Sequence, residues 1–416
     1  MVHHTMNTNS AKAVKASSKI TSILGSISKK GQRLGACAAI LGLLAACSST
    51  PLPPMAPPRP DLGTEGRPSD SANNASRQRN TLLREHSRWV AADWSELPGW
   101  GEDRAAELWP ALLQGCVRPA PGWSELCVRA RQDAPQDDLA ASLWLMQHLR
   151  PYRIESLDGS AQGLLTGYFE PQLEATRRPQ GNYKVPVLAV PPDLQQRRPY
   201  FTRQQIDSDP QARARLRDRE LVYLEDPLDL LVLQIQGSGR LRLSDADGNP
   251  QWVRMAFAGH NDHPYQSIGK TLIERGELRP GEASWPQIRD WLRRNPGRVN
   301  ELLWSNPRYV FFREEPLLDI NLGPRGAQGV PLTPGRSIAV DRASIPYGTP
   351  VWLDAGEPLT GPALRRLVMA QDTGSAINGA VRADYFWGWG REAEAQAGRM
   401  KQPLRLWALW PQGSSL

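Results

Sequence analysis

The chain has 416 residues, 40% of them hydrophobic, and about 370 remain beyond a leader that ends near residue 46, which is enough for two domains. Fifty Lys and Arg against forty-three Asp and Glu give a net charge of +7. That mild basic balance attracts polyanions such as nucleic acid, acidic lipids or peptide-bearing glycans. No segment after the leader is long and apolar enough to predict a membrane-spanning helix.

The first thirty-three residues carry Lys12, Lys15, Lys19, Lys29, Lys30 and Arg33 and no acidic side chain, and an apolar run from Leu34 to Ala46 follows. A basic start and a short apolar run predict an export signal over residues 1–46. The ending Leu44-Ala45-Ala46-Cys47 resembles a bacterial lipobox, which implies cleavage before Cys47 and acylation of its thiol. Several acyl chains on one residue hold a protein stably to a bilayer. Ser48 after the cysteine resembles the pattern of outer-membrane sorting, so the expected place is the periplasmic face of the outer membrane. Export sets nucleic acid aside as a partner. Residues 47–79 are rich in Pro, Ser, Asn and Gly and poor in large apolar side chains, which predicts a flexible tether. Cys116 and Cys127 are the cysteines left over, and a pair in an oxidising compartment predicts a disulfide.

Residues 80–150 read as helical. Leu82, Leu83, Trp89, Val90 and Trp94 recur at near-helical spacing, as do Leu139, Leu143, Met146 and Leu149. Asp137 and Asp138 suit the start of the second helix and Pro151 its end. Gly163 to Pro171 predicts a short strand running into a turn. Leu228 to Ile235 is a continuous apolar run that breaks at Gln236-Gly237-Ser238-Gly239, and alternation resumes over Arg240 to Leu243. The turn Asp245-Ala246-Asp247-Gly248-Asn249 before Trp252 predicts a hairpin. Gln266 to Arg275 reads as a helix closed by Gly276, and Ser284 as the cap of another that runs to Arg294. Strand signals return at Tyr309 to Phe312 and dominate to Leu409. The whole is mixed, β-rich and of two domains, without an internal repeat.

Within that last stretch three aspartates sit in separate turns beside short apolar runs: Asp341 after Ser337 to Val340, Asp372 after Leu367 to Ala370, and Asp384 before Tyr385 to Trp387. Gly or Pro lies close to each, the pattern of strand–turn–strand units that bring carboxylates to one mouth of a small barrel. The arrangement resembles the 3D domain, named for its three aspartates, of the lytic murein transglycosylase A family. Four further segments match that family's motifs in order: Thr166-Gly167-Tyr168-Phe169; Gln236-Gly237-Ser238-Gly239; Asn261 to Lys270; and Asn306-Pro307 before Val310 to Phe312. The resemblance covers roughly Gly163 to Trp410. It implies an α+β fold, mainly β with helices. A helical region and the first part of a double-psi β-barrel would occupy 80–174, an inserted second β domain 175–305, and the 3D domain that completes the barrel 306–416. A cleft between the two domains would hold peptidoglycan glycan strands, with cell-wall synthesis or division proteins as a further class of partner.

The implied chemistry needs one acid. A glycosidic bond breaks only when its leaving oxygen is protonated, and a hydrolase then needs a second carboxylate as nucleophile or base. A lytic transglycosylase does not, because the C6 hydroxyl of the sugar attacks C1 and closes a 1,6-anhydro ring. The resemblance gives Asp384 both the acid and the base role. Asp372, the second catalytic candidate, is expected to shape the site around it, and Asp341, before a Pro-Gly turn, reads as structural. Thr166, Tyr168, Gln236, Gly237, Ser238 and Lys270 are expected to contact the glycan. The contending reading is a peptidoglycan-binding lipoprotein that does no chemistry.

Two other readings are set aside. Asp372-Thr373-Gly374 matches the aspartic-protease signature, but such a protease needs two aspartates sharing a proton, and the chain holds no second copy. His260 and His263 beside Asp262 suggest a metal, but they lie in a loop and no third ligand can be named. Neither a metal nor another cofactor is expected.

Overall fold

The computed structural model describes residues 81–244, 251–358, 361 and 363–413. The leader, Cys47, the tether and the 245–249 turn lie outside the described residues. In chain order the elements begin with β1 (Thr81–Leu83) and β2 (Arg88–Ala91), then α1 (Trp109–Gly115), α2 (Ser124–Gln132) and α3 (Asp138–His148). β3 (Leu149–Glu155), β4 (Gly163–Glu170), β5 (Gln172–Ala175) and β6 (Val185–Leu188) follow. Next come α4 (Arg203–Ser208), α5 (Pro210–Arg215), β7 (Glu220–Leu224), α6 (Pro227–Gln236), β8 (Ser238–Leu243) and β9 (Gln251–His260). α7 (Ile268–Glu274), α8 (Trp285–Arg294) and α9 (Val299–Trp304) precede β10 (Val310–Pro316). The chain closes with β11 (Ser337–Val340), β12 (Pro350–Gly356), β13 (Ala363–Asp372), β14 (Arg382–Trp389), α10 (Gly390–Ala397) and β15 (Lys401–Pro411).

The main sheet runs β1-β2-β3-β15-β12-β13-β11-β14-β4, and a second pairing of β15 with β4 closes its last six strands into a barrel. β11 runs parallel to β13, and β14 parallel to β4, among otherwise antiparallel neighbours. This is the mixed barrel that a double-psi fold requires, and the fold class is α+β. β11 is buried along its whole length, as a central strand covered on both faces must be. Trp89, Trp352, Trp407 and Trp410 are all buried in the adjoining core.

The second sheet runs β10-β9-β8-β5, with β6 and β7 paired apart from it. β8 and β9 pair antiparallel, with Leu243 opposite Gln251, so the hairpin read from the sequence is present on either side of its turn. β4 passes into β5 through Pro171, and a buried charge cluster marks that junction. Glu170 accepts from Arg240 Nε at 2.7 Å and from Arg254 Nε at 2.6 Å, with none of the three side chains more than 8% exposed. Leaving one partner of such a cluster unpaired costs about 3–5 kcal/mol, so it ties β4 firmly to β8 and β9.

Two expectations for the N-terminal part need correction. Leu82 to Ala91 is not helical, and only a short 3-10 turn begins at Trp94: β1 and β2 form a hairpin, and β2 pairs with β3 at the edge of the barrel sheet. Sheet pairing and the full burial of Trp89 outweigh a loose helical spacing there. α3 does form, capped by Asp137, whose carboxylate accepts from the amide of Ala140. Its buried face, however, carries Ala141, Trp144 and Leu145, while Leu139 and Leu143 point outward at 69% and 55% exposed. Trp144 stacks edge-on against Trp109 of α1, and that contact sets the helix's rotation. A disulfide joins Cys116, just after α1, to Cys127 within α2.

Candidate active site

The barrel's strand register gathers the aspartates. Ala339 on β11 faces Asp372 on β13 to one side and Asp384 on β14 to the other. Two strand spacings therefore separate the aspartates at one level of the barrel, roughly 10 Å between backbones. Asp384 lies opposite Thr166 on β4, and Asp341 directly follows the end of β11. All three carboxylates thus sit at the mouth where β11 and β13 end and β14 and β4 begin. Gly167 keeps β4 close to its neighbours there. A Cβ at that position would meet Trp387 Nε1 at 2.8 Å and the Ala397 backbone of α10 at 2.9 Å.

Each carboxylate has a different environment. Asp384 accepts one bond, from Thr166 Oγ1 to its Oδ1 at 2.6 Å, and Arg382 Nη2 donates to the same Thr166 oxygen at 2.9 Å. Burial pushes the Asp384 carboxyl up to about 6. The Thr166 bond and the Arg382 charge oppose that shift, and the charge of Asp372 adds to it. Asp372 is bonded on both oxygens: its Oδ1 accepts from the Ala327 amide at 2.9 Å and its Oδ2 from the Tyr168 hydroxyl at 3.0 Å. Burial raises its pKa too, while these donors and the Thr373 amide pull it back. Tyr168, buried and close to both carboxylates, is held far from ionisation and serves as a donor only.

Asp341 is saturated. Its Oδ1 accepts from the Ala343 amide at 2.9 Å, and its Oδ2 from the Gly379 amide at 2.8 Å and from His86 Nδ1 at 2.7 Å. Burial works against its ionisation, but these donors outweigh it and hold the pKa below the ordinary value. Of the three, only Asp384 keeps an oxygen, Oδ2, that no group among the described residues bonds. A carboxyl that stays protonated to about pH 6 with one free oxygen can give a proton to a substrate atom and take one back.

The sequence comparisons agree with this geometry. Residues 164–313 match the model of the MltA specific insert domain, and residues 336–410 that of the 3D domain. The membrane-bound lytic murein transglycosylase A of Vibrio cholerae is 35% identical over 259 residues, which is 60% of this chain and 67% of that protein. The chain belongs to the lytic murein transglycosylase A family. Among solved structures of the family, that of MltA from Neisseria gonorrhoeae matches with a TM-score of 0.68 at 32% identity, covering 80% of this chain and 95% of that one. The structure of Escherichia coli MltA with bound chitohexaose matches with a TM-score of 0.60 at 27% identity, covering 80% and 94%.

The residues nominated from the lytic murein transglycosylase A motifs divide by position. Thr166 and Tyr168 reach the carboxylates. Gln236, Gly237 and Ser238 make no bond to them: Gln236 Oε1 accepts from the Phe169 amide at 3.0 Å, Gly237 closes α6 at φ +80°, and Ser238 opens β8. Lys270 is exposed on α7, where its Nζ pairs with Glu274 at 3.3 Å. His263 Nε2 lies 2.8 Å from the Tyr200 carbonyl and His260 Nδ1 3.1 Å from Asp262. Among the described residues no three His, Cys, Asp or Glu side chains gather as a metal would need.

Sequence reasoning missed three members of the site. Arg382 was the legible one, since residues two apart on a strand share a face, and it stands two before Asp384. The amide of Ala327 and the ring of His86 carried no signal, because they lie 45 and 255 residues from the aspartates they bond.

Proposed function

We propose that the protein is a lytic transglycosylase that cleaves the MurNAc–GlcNAc β-1,4 bond of peptidoglycan and leaves 1,6-anhydroMurNAc ends, in cell-wall turnover. Asp384 protonates the bridging oxygen as its bond to C1 breaks, and then takes the proton of the C6 hydroxyl that attacks C1. The observation that carries this reading is the contrast between the two neighbouring carboxylates. Asp384 is raised to about 6 with one oxygen free, whereas Asp372 has both oxygens bonded and is not placed to act as a nucleophile or to activate water. One usable carboxyl suits intramolecular closure and not hydrolysis, which uses two. The bound chitohexaose of the E. coli relative supports a glycan as the ligand. Anchoring through lipid on Cys47, at the periplasmic face of the outer membrane, follows from the leader and accords with the relatives' description as membrane-bound.

Mass spectrometry of the products released from purified sacculi tests the reaction. Muropeptides one water lighter than hydrolytic products are expected, and products of hydrolytic mass, or none, would reject it. The anchor is tested separately: Cys47→Ala should leave the membrane fraction, and unchanged fractionation would refute acylation at that residue.

A further inference from the structure

Thr166 stands between two groups that leave its hydroxyl little choice. Arg382 has donors and no acceptor, so the 2.9 Å contact of its Nη2 with Thr166 Oγ1 runs one way only. Its other terminal nitrogen, Nη1, is held by the carbonyl oxygens of Leu164, at 3.4 Å, and Ala383. Thr166 Oγ1 therefore already accepts from a cation, and its own hydrogen has one acceptor among the described residues, Oδ1 of Asp384 at 2.6 Å. If the acid proton sat on Oδ1, it would point at the threonine oxygen and leave the threonine hydrogen without a partner. A partly buried donor left so is disfavoured.

We propose that Arg382 is a positioning residue for the glycan-cleaving reaction: acting through Thr166, it confines the acid proton of Asp384 to Oδ2, the oxygen left free to face substrate. The proton on Oδ2 passes to the glycosidic oxygen as the C1–O bond breaks and its electron pair leaves with that oxygen. The C6 oxygen then bonds to C1, and its proton returns to Oδ2. Between the two transfers Asp384 is a carboxylate, and Thr166, polarised by the Arg382 charge, donates to it. One contact thus serves both halves of the reaction, because it selects the oxygen in the first and steadies the anion in the second.

The inference rests on Asp384 being the acid. Other groups face Asp384 as well: Asp372 on β13, whose charge raises its pKa; Tyr168 beside Thr166 on β4, a neutral donor; and the apolar Ala339 on β11. Arg382 is the cation that opposes them.

The test is the pH dependence of kcat and KM on a soluble glycan oligomer for the wild type, Arg382→Met, Arg382→Lys, Thr166→Val, the Arg382→Met/Thr166→Val double variant and Asp384→Asn. Arg382→Met is expected to lower kcat about 10- to 100-fold, the size of one charge-assisted hydrogen bond, with KM little changed. It should also move the alkaline limb to higher pH, because the cation that favours ionisation is gone. Arg382→Lys should recover part of kcat and return the limb toward its original place. In the Thr166→Val background, removing Arg382 should cost little more in kcat. Losses that multiply in the double variant, or an alkaline limb that stays or moves to lower pH in Arg382→Met, would overturn the proposal. If Arg382→Met does not fold, Thr166→Val must by itself raise the limb with KM held, and a limb unmoved there overturns it equally. Near-normal turnover by Asp384→Asn would refute the acid itself, an outcome distinct from either of these.

Discussion

Asp341 and Asp384 lie at the same barrel mouth and have opposite fates. Asp341 follows the end of a strand and turns into a ring of donors contributed by Ala343, Gly379 and His86, and these donors outweigh the cost of burial and stabilise its charge. Asp384 lies within a strand whose own backbone groups are spent on β11 and β4, so burial leaves it one hydroxyl and one free oxygen. The first carboxylate is a piece of folding chemistry that joins the β1–β2 region to the 3D turn. The second is poorly solvated and keeps its proton to about pH 6. Position in the strand, and not residue type, divides a carboxylate with every oxygen bonded from one with an oxygen that no described group bonds.

The largest expected effect breaks this contrast at its reactive end. Asp384→Asn should lower turnover by about 10²–10⁴-fold or more, since the acid and the base are lost together. The same change should stabilise the fold. A carboxyl raised to about 6 contributes stability that is complete below its unfolded value and is lost as pH rises through about 6. The variant should therefore melt with the wild type in acid and above it at pH 8, by on the order of 1–3 kcal/mol. A variant no more stable than the wild type at pH 8 would show that Asp384 ionises freely.

Asp341→Asn acts in the other direction. Its depressed pKa gives stability that is present above the unfolded value and lost as pH falls through the folded one. Thermal melts should show a loss of about 1–3 kcal/mol at pH 7 that shrinks in acid, with kcat changed far less. A large fall in kcat with an unchanged melting temperature would move Asp341 into the reaction. The smallest effect is expected from Asp372→Asn. Removing that charge should shift the alkaline limb of activity to lower pH, but modestly, because burial is the larger cause of the raised Asp384 value. A shift as large as the whole displacement of Asp384 would make the like charge the dominant influence.

Much of the site and part of the fold are readable along the chain. The strands that carry the aspartates, the caps at Asp137 and Ser284, and the hairpin of β8 and β9 follow from local chemistry. The run from Leu228 to Ile235 is apolar throughout, and such a run does not separate a buried helix from a buried strand. It is helical, begun by Asp226 and Pro227 and ended by Gly237. Leu82 to Trp94 failed for a different reason, since a weak helical spacing yields to pairing with β3, some sixty residues on. Likewise Gly390–Ala397 forms a helix within a stretch dominated by strand signals, packed on β4 where Gly167 makes room.

Taken alone, the sequence determined the order of the motifs, the family they resemble and the identity of the three carboxylates. It did not determine which carboxylate holds a proton. That depends on whether each oxygen finds a donor, and among the described residues the donors come from elsewhere: His86 and Gly379 for Asp341, Ala327 and Tyr168 for Asp372, and Thr166 alone for Asp384. Burial and hydrogen bonding oppose each other at every buried carboxylate, and only the closed barrel, by fixing which neighbours are within reach, decides the balance.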